Sequence, residues 1–373
     1  MAGMPAAAQE MQPQASTPQA CFALESDAWR LACYDNVLGY QAPSTTDADL
    51  AANTAQQMLH TVRETTRPED ADIAQRVQTR RQVNEVFKQD ETFRNALANA
   101  GRGSLLDSRW ELAKDSKLGT FQLRAYKPIY LFPVFWTSDT NRTPQSPNPA
   151  NTVTTPQVLD HSEVKFQLSF KTKVAENLFH DNGDLWVGYT QSSRWQAYNS
   201  EDSRPFRETN YEPEVMLAFR NNYSLGGWKG RMAGISLTHQ SNGRSDPLSR
   251  SWNRVILNVG LDQENWALML RPWYRLDESR RDDNNPDIED YMGRGDATLV
   301  FNPSNGHEVS LMLRHSLRTG DRSHGAAQLD WGFPISNLLR GHLQVFHGYG
   351  ESLIDYNHKA TYMGVGISML EWF

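Results

Sequence analysis

The sequence predicts an all-β protein, a twelve-stranded antiparallel transmembrane β-barrel that follows an N-terminal, largely helical or disordered extension. From about residue 126 the chain consists of short segments in which apolar and polar residues alternate, separated by polar turns. Segments of about ten alternating residues are typical of transmembrane barrels, because lipid-facing and lumen-facing side chains alternate along each strand. The final segment ends on Trp372 and Phe373, an aromatic C-terminus that fits the same fold class.

The composition is compatible with this prediction. The chain has 373 residues, a net charge of −7 and 39% hydrophobic residues. No run approaches the roughly 18 to 20 consecutive apolar residues that a membrane-spanning helix needs. Residues 1–20 lack the basic and apolar regions of a signal peptide, so we expect either a cytosolic protein or a chain from which a signal peptide is missing. We expect no nucleic-acid partner.

Residues 1–110 are predicted to form an N-terminal periplasmic extension, and residues 111–373 to form the barrel domain. The extension is rich in alanine, glutamine and charged residues, with helix-like stretches at 49–59 and 72–97. Cys21 and Cys33 flank a short helix-like segment within it. In an oxidising periplasm we expect them to form a disulfide, and in the cytosol to remain free thiols.

Twelve candidate strands follow, and an even number allows an antiparallel barrel to close. Closure is required because lipid cannot satisfy the open edge of a sheet. The last candidate places Met363 and Val365 on one face, opposite Gly364 and Gly366. The candidate strands are 126–137, 163–174, 185–196, 213–224, 227–240, 252–261, 265–276, 290–302, 307–319, 325–334, 340–350 and 361–373.

The connections between these strands alternate in length. Two of the short ones are 225–226 and 262–264, whereas the longer ones are 138–162, 197–212, 241–251, 277–289 and 351–360. Outer-membrane barrels have short periplasmic turns and longer external loops. With both chain termini in the periplasm, the longer loops therefore lie on the outside of the membrane.

Three polar residues interrupt the apolar face of two adjacent candidate strands. His239 and Ser241 have the same parity as Leu237, and Asn253 has the same parity as Leu257. If the two strands pair as a hairpin, all three polar groups lie on one hydrophobic surface. The orientation of the loops places that surface at the outer rim of the barrel wall, facing lipid.

These three residue types suit nucleophilic hydrolysis of an ester. Such a reaction needs a hydroxyl nucleophile, a base that takes its proton, and a group that holds the base in the correct tautomer. Ser241, His239 and Asn253 can fill these roles in that order. Because asparagine is neutral, it stabilises an imidazolium less than aspartate would, and the enzyme should need further electrostatic help.

The loop that follows Ser241 offers such help. A tight backbone at Gly243 could direct its N–H at an oxyanion, and Asp246 with neighbouring oxygens could hold a hard cation. The alternative is an ordinary turn, since Asn-Gly and Asp-Pro are common loop dipeptides. A second acidic loop, 281–287, could complete a calcium site on the same side, or it could simply be solvated.

The sequence around Ser241 resembles that of a known family. Residues 239–254, HQSNGRSDPLSRSWNR, closely resemble the active-site segment of outer-membrane phospholipase A from Gram-negative bacteria. Three other stretches agree with this family, namely PFRETNYEP at 205–213, NPDI at 285–288 and GYGESLIDYN at 348–357. The resemblance runs from about residue 123 to residue 373, about two thirds of the chain.

The resemblance implies a twelve-stranded outer-membrane barrel that hydrolyses sn-1 and sn-2 acyl esters of phospholipids and lysophospholipids. It also implies dependence on calcium and activity as a homodimer. By resemblance Ser241 is the nucleophile, His239 the general base, Asn253 the orienting residue and Gly243 an oxyanion donor. A calcium ion bound only in the dimer would take the carbonyls of Arg244 and Ser249, with the hydroxyl of Ser203 of the partner subunit.

The resemblance also implies a second calcium site, and here the sequence departs from the family pattern. Asp246 matches one ligand of that site, and Asp283 is the better match for the other. The loop 277–287 is longer than in the family, and a shift by one residue would put Asn284 at that position. The long N-terminal extension is a second departure, and the resemblance assigns it no role.

Two alternatives remain open from the sequence. A non-catalytic barrel, either a porin or a structural protein, has no need of His239, Ser241 and Asn253 on its lipid face. We also expect inward arginines such as Arg254 and Arg275 to form a polar plug with acidic partners, and a pore would lack such a plug. A soluble periplasmic serine hydrolase would carry a GxSxG elbow, and none surrounds Ser241.

Overall fold

The computed structural model describes residues 21, 30, 33–34, 37–39, 104–114, 116–279, 283–303, 306–336, 339–370 and 372. The chain forms two compact units, Met1–Thr65 and Thr66–Phe373. In the first unit Cys21 and Cys33 form a disulfide, the pairing expected for an oxidising compartment. The predicted helical stretches at 49–59 and 72–97 lie outside the described residues. Among those that are described, no helix is long and apolar enough to cross a membrane.

The described part of the second unit contains thirteen strands and two short α-helices. The strands are β1 (Leu123–Ala125), β2 (Ile129–Thr137), β3 (Ser162–Ala175), β4 (Asp184–Trp195), β5 (Phe206–Leu225), β6 (Trp228–Ser241), β7 (Ser251–Gln263), β8 (Trp266–Leu276), β9 (Gly295–Phe301), β10 (Glu308–His315), β11 (Gly325–Pro334), β12 (Arg340–Tyr349) and β13 (Lys359–Leu370). The helices are α1 (Leu105–Trp110) and α2 (Ile288–Met292).

Strands β2 to β13 form a closed antiparallel barrel of twelve strands, which confirms the predicted fold class. Each strand pairs with the next along the chain, and β13 closes the ring by pairing with β2, with Val365 opposite Val134. The short strand β1 pairs only with β3 and lies outside the ring. Closure gives every strand of the ring two neighbours, as a strand in lipid requires.

The two faces of the wall differ as the alternation predicts. Apolar side chains on the outside are exposed, among them Leu237, Leu257 and Val365. The inside is lined by buried polar groups, and the inward arginines have acidic partners: Arg254 with Glu212, Arg271 with Asp296 and Arg275 with Asp283. The expected polar plug is therefore present, and these positions do not line an open pore.

Helix α1 packs inside the barrel. Its hydrophobic side chains Leu106 and Trp110 are buried, and the Trp110 ring makes edge contacts with Tyr126 and Trp186 of the barrel unit. Ser104 caps the helix by accepting a hydrogen bond from the backbone N–H of Asp107, three residues along. The domain boundary predicted at residue 110 falls within this packed segment, which continues through Leu112.

Two predicted strand limits are wrong in ways that concern the external loops. Strand β5 begins at Phe206, seven residues earlier than predicted, because the polar run at 206–212 is a strand whose inward side chains bond to another loop. The predicted strand 290–302 begins with helix α2 instead, and β9 starts only at Gly295. Acidic residues in the first turn of α2 and Gly293 at its end, with φ of 85°, favour that short helix.

Candidate active site on the outer wall

The hairpin of β6 and β7 brings His239 and Asn253 together. The two residues are directly opposite in the antiparallel register, and the His239 Nδ1 lies 2.8 Å from the Asn253 Oδ1. Their neighbours on the same face, Leu237 and Leu257, are 55% and 50% exposed. The pair therefore lies on the outer surface of the barrel.

Ser241 is the last residue of β6 and has the same parity as His239. It is half-buried, whereas His239 is exposed. Within the part of the chain that the structure describes, no hydrogen bond is formed by the Ser241 hydroxyl. The structure thus places the three predicted residues on one outward face at the strand end, and a hydrogen bond joins two of them.

Asn242, next to the nucleophile position, organises the loop 242–250. Its side chain is buried, and its Oδ1 accepts hydrogen bonds from the backbone N–H groups of Arg244 and Arg250. Its Nδ2 donates to the Leu248 carbonyl at 2.8 Å and to Glu208 Oε2 at 3.2 Å. One amide side chain therefore holds the loop closed and anchors it to β5.

Glu208 joins this loop to the connection between β12 and β13. Its Oε1 accepts from the backbone N–H of Ile354, and the neighbouring Asn210 accepts from that of Leu353. Arg207 adds an ion pair with Asp355 at 2.7 Å. Two stretches that resemble the family, 205–213 and 348–357, are thus in contact, and through Asn242 they support the loop after Ser241.

Gly243 follows Asn242 in this loop and has an unusual backbone conformation. Its φ is +62°, a left-handed conformation that side chains other than glycine rarely adopt. A Cβ added there would lie 3.0 Å from the Tyr211 ring. Among the described residues its N–H has no hydrogen-bond partner, so this donor is available to an external acceptor.

The loops around Ser241 contain oxygen donors that suit a hard cation such as calcium. The buried amide of Asn151 donates to Asp246 Oδ1 at 2.7 Å and to the Ser249 carbonyl at 3.3 Å, so one predicted ligand of each calcium site contacts this amide. The Oδ1 of Asn151 is buried without a hydrogen-bond partner. Carboxylate, carbonyl and amide oxygens at one place match the ligands that calcium prefers. These residues therefore fit the ion.

The other predicted ligands have different surroundings. Asp283 is buried, and its Oδ1 forms a 2.6 Å ion pair with Arg275. Asn284, the alternative match, donates to the Ser249 hydroxyl. Arg244 is exposed next to Gly243, and Ser203 lies in the β4–β5 connection with φ of +49°. In the described residues no three His, Cys, Asp or Glu side chains cluster as a metal site, and most of the predicted ligands are carbonyls and hydroxyls.

Four residues of this site were not singled out from the sequence: Glu208, Asn242, Asn151 and Glu278. Glu278 accepts a hydrogen bond at 3.0 Å from the Asn253 Nδ2. Its parity relative to Leu276, which pairs with Asn253, could have indicated this position. Asn151 gives no such signal, because it reaches the site from a loop about 100 residues away in the chain.

The fold and the site together define a bacterial outer-membrane β-barrel of the hydrolase type. Residues 106–369 match the family described as phospholipase A1. A homologous protein of Neisseria meningitidis is 37% identical over 353 residues, which are 93% of this chain and 89% of that protein. The chain belongs to the phospholipase A1 family.

Two further relatives support this assignment. Phospholipase A1 of Escherichia coli K12 is 41% identical over 211 residues, 57% of this chain and 71% of that protein. The crystal structure of the Salmonella typhi outer-membrane phospholipase, a dimer with bound calcium, matches with a TM-score of 0.59 and 36% identity. That match covers 68% of this chain and 94% of the Salmonella chain. The Neisseria alignment also includes N-terminal residues that lie outside the family match.

Proposed function

We propose that this enzyme hydrolyses acyl ester bonds of phospholipids and lysophospholipids in the outer membrane, at sn-1 and sn-2. Ser241 acts as the nucleophile, His239 as the general base and Asn253 as the residue that orients the base. The observation that carries the proposal is the 2.8 Å hydrogen-bonded pair of His239 and Asn253 on the outer wall, with Ser241 two residues from the histidine.

The position of the site suits a lipid substrate. The catalytic face continues directly into the apolar outer surface around Leu237 and Leu257, which are about half exposed. At the strand ends this surface meets the headgroup region, where the ester bonds of phospholipids lie. A site on the inward face would meet the polar groups of the plug instead.

The site contains a group for proton transfer and a group that can stabilise the oxyanion. His239 removes the proton from the Ser241 hydroxyl as the oxygen attacks the ester carbonyl, and later returns it to the departing alcohol. The Gly243 N–H donates to the oxygen that becomes negative. Asn242 holds the loop that carries this donor in place.

Calcium dependence and activation by dimerisation are parts of the same proposal. The carbonyls of Ser249 and Arg244 supply oxygens for an ion bound in the dimer, with Ser203 of the partner subunit completing this site between two copies of the chain. Bound there, calcium would supply positive charge near the developing oxyanion. Asp246 and Asp283 are the predicted ligands of a second site. The Salmonella relative, crystallised as a dimer with calcium, supports both features.

The test is release of fatty acid from phospholipid in detergent micelles, with calcium and with a chelator. We expect calcium-dependent release by the wild type and none by Ser241→Ala. Release by the alanine variant would show that the nucleophile is assigned wrongly. Absence of release from a folded wild-type barrel would contradict the proposed activity as a whole.

Dimerisation is tested with the same assay at increasing detergent dilution, alongside chemical cross-linking. Activity should rise with the cross-linked dimer fraction in the presence of calcium. Ser203→Ala should weaken calcium activation and leave the barrel folded. Activity that is constant at all dilutions would contradict activation by dimerisation.

A further inference from the structure

Three adjacent strands bring a carboxylate to the side of Asn253 away from His239. Asn253 of β7 pairs with His239 on one side and with Leu276 of β8 on the other. Glu278 follows Leu276 by two residues and therefore continues the same outward face into the loop. Its Oε1 accepts a hydrogen bond from the Asn253 Nδ2 at 3.0 Å.

This contact determines which way the Asn253 amide is turned. An amide has a donor end and an acceptor end, whereas an ionised carboxylate can only accept. Beside Glu278 the Nδ2 must therefore point to the carboxylate, which leaves the Oδ1 pointing to His239. In the opposite orientation two acceptors would face each other at hydrogen-bonding distance.

The amide orientation in turn determines the tautomer of His239. Since the Asn253 Oδ1 only accepts, the Nδ1 that lies 2.8 Å away must carry a proton and donate it. In a neutral imidazole the other ring nitrogen, Nε2, is then the free acceptor. This is the nitrogen that has to take the proton of a serine nucleophile.

We infer that Glu278 is a fourth member of the catalytic set, a positioning residue that orients Asn253 and supplies the negative charge that a neutral asparagine lacks. The inference rests on the proposed function, because it assigns Glu278 a role in the same reaction. In a set with aspartate, the third residue itself carries the charge that stabilises the imidazolium. Here orientation and charge are divided between Asn253 and Glu278.

Burial and the charges nearby together place the pKa of the Glu278 carboxyl above its ordinary value. Burial raises the pKa of its carboxyl, and Asp283 raises it further. Arg275, the hydrogen bond from Asn253 and the charge of His239 act in the opposite direction. A negative charge on Glu278 lies on the far side of Asn253 from His239, where it attracts the positive charge that the imidazole acquires during the reaction.

The experiment compares Glu278→Gln, Glu278→Ala and Glu278→Asp in full-length dimeric enzyme with calcium at saturation. The neighbouring exposed carboxylate provides the matched control, Asp277→Asn. The readouts are kcat, KM and the pH dependence of kcat/KM with a micellar phospholipid. The glutamine variant keeps the shape and can still accept from Asn253, so it isolates the charge.

We expect Glu278→Gln to lower kcat about tenfold with little change in KM, the size of one lost charge-assisted interaction. The acid limb of its pH profile should move to lower pH, because the protonated base is less favoured. Glu278→Ala should lower kcat at least as much as Glu278→Gln, and Glu278→Asp should retain part of the wild-type kcat. Asp277→Asn should have the wild-type kcat. In the Asn253→Ala background Glu278→Gln should lower kcat by less than it does in the wild type, because the part of its effect that is transmitted by Asn253 is already lost.

The inference is overturned if Glu278→Gln retains wild-type kcat and an unmoved acid limb, or if its effect is additive with that of Asn253→Ala. Ser241→Ala is assayed in parallel and separates this result from the proposed function. An active Ser241→Ala variant would contradict the proposed function itself. If Ser241→Ala is inactive while Glu278→Gln has the wild-type kcat, the proposed function stands and only the role of Glu278 is contradicted.

Discussion

Replacing Asn242 by alanine is expected to lower kcat by about 10²- to 10³-fold while the barrel remains folded. The wild-type side chain forms four hydrogen bonds, with the N–H groups of Arg244 and Arg250, the Leu248 carbonyl and Glu208. At about 1 kcal/mol for each bond, the loop would lose about 4 kcal/mol of ordering free energy. Since about 1.4 kcal/mol corresponds to a factor of ten, complete loss would reach about 10³-fold.

The assay is steady-state release of fatty acid from phospholipid micelles at saturating substrate and calcium. Folding of the barrel is checked by circular dichroism and by the shift in electrophoretic mobility between unheated and heated samples. Ser245→Ala, an exposed change in the same loop, is the matched control and should retain wild-type kcat. Asn242→Asp should be impaired as well, because one of its carboxylate oxygens would face Glu208.

A kcat for Asn242→Ala within twofold of wild type would refute the reasoning that this amide holds the active loop. Loss of the folded barrel in the variant would also refute it, because within the described residues the hydrogen bonds of the Asn242 side chain go only to its own loop and to the outer end of β5. Partial rescue of Asn242→Ala by calcium above the concentration that saturates the wild type would agree with the proposed role of the amide. Bound calcium would then replace some of the lost ordering through the carbonyls of Arg244 and Ser249.

Three further predictions concern neighbouring parts of the site. Gly243→Ala should lower kcat about tenfold, because a φ of +62° costs alanine about 1–2 kcal/mol, and it should leave KM nearly unchanged in the same assay. Asp283→Asn should lower the melting temperature measured in chelator, because it leaves the buried charge of Arg275 unpaired. Such a loss costs about 3–5 kcal/mol of stability. An unchanged melting temperature would contradict a stabilising pair. Burial alone would raise the pKa of Asp355, but its partners, Arg207 foremost, together hold that pKa below its ordinary value. The stabilisation from Asp355 is therefore present above the unfolded value of about 3.9 and lost as pH falls through the folded one. The protection of amides in loop 351–358 against hydrogen exchange, relative to the intrinsic rate at each pH, should therefore fall only below about pH 4.

The sequence by itself determined the barrel and the face on which the chemistry lies. Alternation with a period of two is a local property, so it can be read from each segment without knowledge of its neighbours. The same parity placed His239, Ser241 and Asn253 on the outward face beside Leu237 and Leu257. The resemblance of residues 239–254 to a known family then gave these residues their predicted roles.

Only the tertiary structure decided what surrounds them. Glu208 and Asn210 were predicted to lie in a loop because their segment is polar. The partners that make this segment a strand lie in the connection at 351–357, about 150 residues further along the chain. The pairing of Arg275 with Asp283 and the arrival of Asn151 beside Asp246 depend on how external loops fold over one another. Glu278 became visible only when the register of β6, β7 and β8 aligned it with Asn253. Contacts between segments far apart in sequence leave no periodic signal, so the closed barrel had to bring them together before their chemistry could be recognised.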